Sequence, residues 1–76
     1  MRNQPALPPA PKAMVRWVIR DNATGRYVNE DVSTGYVDDV FLATFFKSKG
    51  EVVKNIRENE NTGKETPVRV ALYVSS

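Results

Sequence analysis

Cysteine and histidine are both missing from this chain of 76 residues. Without thiols no disulfide framework can staple so short a protein, and without either residue a standard zinc site cannot be assembled. The same absence removes the commonest nucleophile–base pairs of covalent catalysis and the side chain that titrates near neutral pH. We therefore expect a protein that is not an enzyme, with no catalytic residue, no metal site and no cofactor. No apolar run approaches the roughly 20 residues of a membrane-spanning helix. The N-terminus lacks the charged-then-apolar pattern of a secretory signal. The chain reads as soluble and cytoplasmic, with no membrane partner. An excess of one charge is also lacking where it would matter. The net charge is +2, but Arg2 and Lys12 lie near the N-terminus, and from Ala13 onward nine basic residues face nine acidic ones. The expected folded part is neutral, so its overall field attracts phosphate only weakly.

Proline is scarce outside one place. Pro5, Pro8, Pro9 and Pro11 fall in residues 1–12, and only Pro67 lies elsewhere. Proline has no backbone donor and a fixed φ, so residues 1–12 read as a disordered, extended tail. Arg2 to Pro8 also spells a ligand for aromatic-lined grooves that read proline helices. Residues 13–76 read as a single small domain. A chain of this size buries only about 60–65% of the surface its unfolded form exposes, so the core is thin.

What is present is a clear succession of periodic segments. Val15, Trp17 and Ile19 point one way, while Arg16, Val18 and Arg20 point the other, which is the period of a strand. Asp21-Asn22-Ala23-Thr24-Gly25 supplies turn chemistry, and Arg26-Tyr27-Val28-Asn29 resumes the alternation. A hairpin with strands over residues 14–20 and 26–29 follows. Tyr36-Val37 extends it or begins another strand, and residues 40–46 are expected to hold the third main strand. Ser48-Lys49-Gly50-Glu51 is a capping box, in which serine takes the N–H three residues on and glutamate reaches back to the serine N–H. A helix is predicted from Lys49 to about Asn59, with Val52, Val53 and Ile56 as its apolar stripe. After the turn at residues 59–64, Val68, Val70, Leu72 and Val74 alternate with Arg69, Ala71 and Tyr73 in a last strand. The expected class is α+β: an antiparallel sheet of three to four strands with one helix on one face, in the order βββαβ.

Trp17, Val18, Ile19, Arg20 and Asp21, then Thr24-Gly25-Arg26-Tyr27, then Asp38-Asp39 and the step from Ala43 through Phe45-Phe46-Lys47-Ser48 to Val52 resemble short proteins encoded by bacteriophages and prophages. The resemblance spans most of residues 15–74. It implies a non-enzymatic accessory protein in the cytoplasm of a bacterial host, one that binds a host enzyme or an antiviral defence nuclease and inhibits or redirects it. The strand–strand–strand–helix outline is also similar to the arm-binding domain of tyrosine recombinases and to the plant ethylene-response DNA-binding domain. Those lay a three-stranded sheet in the major groove, and here Arg16, Arg20 and Arg26 would play the phosphate-contacting part. The acidic residues Glu30, Asp31, Asp38 and Asp39 would sit beside that groove, so double-stranded DNA ranks second among the expected partners.

Trp17 reads as a core residue between Val15 and Ile19. Consecutive residues on a strand face opposite ways, so Phe46 is expected under the helix and Phe45 on the far sheet face. There, Phe41, Phe45, Tyr73 and Val18 would form an apolar patch for a host protein or complex, or for a second copy in a homodimer. Asp38 and Asp39 read as a solvated turn or strand end, because adjacent carboxylates on extended backbone diverge. Asn22-Ala23-Thr24 matches a glycosylation acceptor by spelling alone.

Overall fold

The first strand, β1 (Lys12–Asp21), ends in a turn that its own sequence dictates. Asp21 Oδ2 accepts from the Thr24 N–H at 3.1 Å and from Thr24 Oγ1 at 2.6 Å. Gly25 donates to the Asp21 carbonyl at 2.8 Å and adopts a φ of +74°, a region that favours glycine. The chain reverses into β2 (Tyr27–Val28) and, after a second reversal, into β3 (Tyr36–Val37). The computed structural model describes residues 12–74. The expected tail therefore lies, up to Pro11, outside the described residues, while Lys12 already belongs to β1.

The capping box opens α1 (Lys49–Glu58) at the expected residue. Ser48 Oγ accepts from the Glu51 N–H at 3.2 Å. The Glu51 carboxylate reaches back to the N–H of Lys47, at 2.9 Å, one residue earlier than the standard box prescribes. Ser48→Ala is expected to cost about 1 kcal/mol of stability. Thermal melting followed by circular dichroism checks this, and an unchanged melting temperature would remove the cap from the account. At the other end, Glu60 donates to the Arg57 carbonyl at 3.1 Å and Asn61 to the Ile56 carbonyl at 2.9 Å, the paired bonds of a Schellman stop. Glu60 holds the left-handed position with a φ of 59°, where glycine is usual.

The last strand, β4 (Glu65–Val74), pairs with β1 along its whole length, from Lys12 opposite Val74 to Asp21 opposite Glu65. All neighbours are antiparallel and the sheet order is β3-β2-β1-β4. The α+β class and the element order are those the sequence implies.

Alternation along β1 divides the sheet into two faces. On one, the buried residues Ile19, Val52 and Ile56 form the core, with Trp17, Val28 and Phe46 packed against them. Lys49 Nζ lies 5.9 Å from the centre of the Trp17 ring, within cation–π range. Phe46 thus sits on the helix side, as its place in the pattern implied.

Residues opposed across strands share a face, so Val68 and Val70 of β4 lie with Val18 and Arg16 on the other side. The apolar row of β4 is therefore turned away from the helix. Val18 itself is 0% exposed and Ala43 6%, and neither belongs to the helix-side cluster. The thin core is thus two-sided, with both faces of β1 buried near its middle.

Residues 40–46 do not form the expected third strand. Residues Val40–Leu42 make a single 3-10 turn. Asp39 causes it: its Oδ1 accepts from the Phe41 N–H at 2.9 Å, and its carbonyl accepts from Leu42 at 3.0 Å. Beyond the turn, Thr44 donates to the Val28 carbonyl at 2.9 Å, and Phe46 and Trp17 exchange bonds of 2.7 and 2.8 Å. This stretch meets β2 and β1 at single points, beyond the short stretch where those two strands pair, and never builds a ladder.

Candidate interaction surface

The segment that failed to become a strand carries three of the six large apolar side chains exposed among the described residues. Phe41 is 66% exposed, Leu42 60% and Phe45 37%. Three large apolar side chains within five residues form a ridge. It is held from beneath by polar bonds: Asn29 Nδ2 donates to the Leu42 carbonyl at 2.6 Å, and the Thr44 hydroxyl accepts from the Glu30 N–H at 3.0 Å. With the Asp39 cap and the Thr44–Val28 bond, the backbone of the ridge is fixed at four points. A surface ordered in advance loses less entropy on binding.

Of the residues expected on one patch, Phe41 and Phe45 are both exposed and fall in the same short segment. Val18 is entirely buried and offers no surface to a partner: β4 sets Val68 opposite it, a neighbour that alternation along β1 alone does not reveal. Tyr73 is 69% exposed, but it stands opposite Ala13, four residues along β1 from the Trp17–Phe46 contact. That separation is roughly 13 Å at strand rise. Odd positions of β4 also share the helix side, opposite the face expected for Phe45. Leu42 was not singled out. Its signal is Asp39, a capping residue directly before three apolar positions.

The three arginines are spread in a comparable way. Arg26 is bound to Asp38 by an ion pair of 2.9 Å, outside any strand. Arg16 turns back to donate to the Val15 carbonyl at 2.8 Å. Arg20 is exposed and opposes Tyr27, on the same face as Arg16 but with the buried Val18 between them. Asp38 and Asp39 are accounted for by the Arg26 pair and the 3-10 turn.

A cleft of about 360 Å³ opens where the end of α1 meets β3 and the start of β4. It is lined by Glu30, Tyr36, Asn55, Asn59, Asn61 and Glu65 among others. Its amides largely satisfy one another, since Asn59 Nδ2 donates to both the carbonyl and the side-chain oxygen of Asn55 at 2.9 and 3.0 Å. Glu65 is buried and its pKa is raised, first by burial and further by the Asp21 carboxylate, with a hydrogen bond from Asn61 opposing the shift. A carboxyl whose folded pKa exceeds its unfolded value favours folding while protonated. That contribution is lost as pH rises from the ordinary glutamate range through the raised value. Glu65→Gln, which keeps the neutral form, is expected to match the wild type in stability at low pH and exceed it at pH 7. Urea unfolding at both pH values checks this; a variant less stable at pH 7 would contradict it.

Among the described residues no three Asp or Glu side chains gather as ligands for an ion, and no helix is long and apolar enough to cross a membrane. No protein-family model, curated protein or solved structure matches the chain.

Proposed function

We propose that this protein is a non-catalytic binding module that engages another protein through the Phe41–Leu42–Phe45 ridge. The carrying observation is the exposure of all three side chains on a backbone segment fixed by side-chain and main-chain bonds. Apolar side chains presented on rigid backbone act as anchors that fill pockets on a partner. Together with the resemblance to short phage and prophage proteins, this favours a host enzyme or defence nuclease as the target, acted on by occupying its surface. DNA contact through the sheet is less well supported, because Arg26 and Arg16 are already engaged and β2 and β3 are two residues each.

A photo-crosslinking side chain at position 42, compared with one at Lys54 on the outer side of α1, tests the reading in bacterial extract. The expected result is a discrete protein adduct from position 42 that survives nuclease treatment and is absent from position 54. Adducts to nucleic acid, or identical patterns from both positions, would overturn it. Tight retardation of a short duplex that is lost in Arg20→Ala would transfer the function to the sheet face.

A further inference from the structure

The hydrogen bonds on one side of β1 determine what the outer edge of β4 presents. Asp21 donates to the Arg26 carbonyl, and Trp17 both donates to and accepts from Phe46, so the odd-numbered backbone groups of β1 point away from β4. The even-numbered ones must therefore form the ladder with β4. In the register of the pair, even residues of β1 oppose even residues of β4. The N–H and C=O groups of Arg69, Ala71 and Tyr73 consequently point outward, along an edge with no neighbouring strand among the described residues. Two observations agree with this assignment. The Glu65 N–H is spent on the Asn61 carbonyl rather than on β1, and Pro67, which has no donor, stands at an outward position as proline in an edge strand should.

We infer that this edge pairs with β4 of a second copy of the chain, antiparallel about a twofold axis at Ala71. The choice of occupant comes from self-complementarity. With Ala71 on the axis, Arg69 faces Tyr73 of the second copy and Tyr73 faces its Arg69, so cation meets aromatic face twice. No two like charges are opposed. Every outward donor of Arg69, Ala71 and Tyr73 finds a carbonyl across the axis, whereas centring on Val70 would oppose Tyr73 to the donorless Pro67, and centring on Arg69 would oppose two guanidinium groups. The small Ala71 side chain is exposed and permits close approach at the axis. On the opposite sheet face, Val70 comes to lie beside Leu72 of the second copy. The half-buried row Val68, Val70 and Leu72 then continues from one sheet into the other. Closed twofold pairing also removes an open edge that would otherwise invite aggregation. The ridge lies elsewhere on the molecule, so this pairing stands or falls independently of the proposed function.

The absence of cysteine makes the register directly testable in the full chain. Antiparallel partners at a hydrogen-bonded position have Cα atoms about 5.5 Å apart, within disulfide reach. Under mild oxidation Ala71→Cys is expected to give a covalent dimer. Arg69→Cys and Tyr73→Cys, each alone, are expected to form no covalent dimer, while the two together in one chain cross-link. Sedimentation equilibrium of the wild type is expected to show a dimer, and Ala71→Lys, which sets two ammonium groups on the axis, is expected to raise its dissociation constant at least tenfold without lowering monomer stability. A wild type that sediments as a monomer at millimolar concentration would overturn the proposal. So would cross-linking through a cysteine at position 70 but not at 71.

Discussion

Ile19→Ala is expected to remove most of the stability of this domain. Ile19 is 0% exposed and lies at the centre of the helix-side core with Val52 and Ile56. Truncating a buried isoleucine loses its transfer energy and leaves a cavity, together costing about 2–5 kcal/mol. A domain of this length has a total stability of only roughly 4–11 kcal/mol, and only five hydrophobic residues are buried among those described. Few neighbours can collapse to refill the space. Helix packing would suffer first, because α1 has no other apolar cluster to lie on. Guanidinium unfolding monitored by tryptophan fluorescence reads the effect directly, since Trp17 packs on the same cluster. Tyr73→Ala, at a side chain 69% exposed, is the comparison and is expected to change monomer stability by less than about 0.5 kcal/mol. A loss below about 1 kcal/mol for Ile19→Ala would mean that the helix is not held by this face.

The parts of the fold that were legible are those in which a local rule and a long-range need coincide. Ser48 and Glu51 announce the start of α1, and Val52 and Ile56 recur at helical spacing, so cap and stripe agree. The turn from Asp21 to Gly25 and the alternation on either side of it likewise reinforce each other. Residues 40–46 had no such agreement. Val40, Phe41, Leu42, Phe45 and Phe46 make a run whose periodicity fits strand or turn equally, and the decision was made by Asp39, whose carboxylate offers Phe41 a bond that a strand would not.

Val18 was illegible for a different reason. Alternation along β1 places it opposite Ile19, which suggests solvent. Its burial depends on which face β4 turns toward it, and that is set by the tertiary register that aligns Val68 with Val18. The site was legible to the same extent. Phe41 and Phe45 stand out by alternation, Leu42 becomes visible only once the 3-10 turn is known, and Tyr73 belongs to the free edge of the sheet and not to the ridge.

Replacing Phe41 and Leu42 together by alanine is expected to abolish partner binding while leaving the melting temperature nearly unchanged. Both side chains are mostly exposed, at 66% and 60%, so the folded state gains little from them. Their backbone bonds would be kept, because Asp39 caps the Phe41 N–H and Asn29 holds the Leu42 carbonyl whatever side chains stand there. On docking, each would be removed from water, at about 1.5–3 kcal/mol for a fully buried large apolar side chain. The pair would then supply roughly 3–6 kcal/mol, or a loss of about two to four orders of magnitude in affinity. Isothermal titration against the captured target, beside thermal melts of both proteins, separates the two effects. Phe45→Asp offers an independent reading, since it places a charge on the same ridge at a side chain only 37% exposed. It should abolish binding as well, but with some loss of stability. If the double alanine variant binds as the wild type does, the ridge is ordinary exposed surface; if it melts far below the wild type, these side chains are part of the packing on the helix-free face.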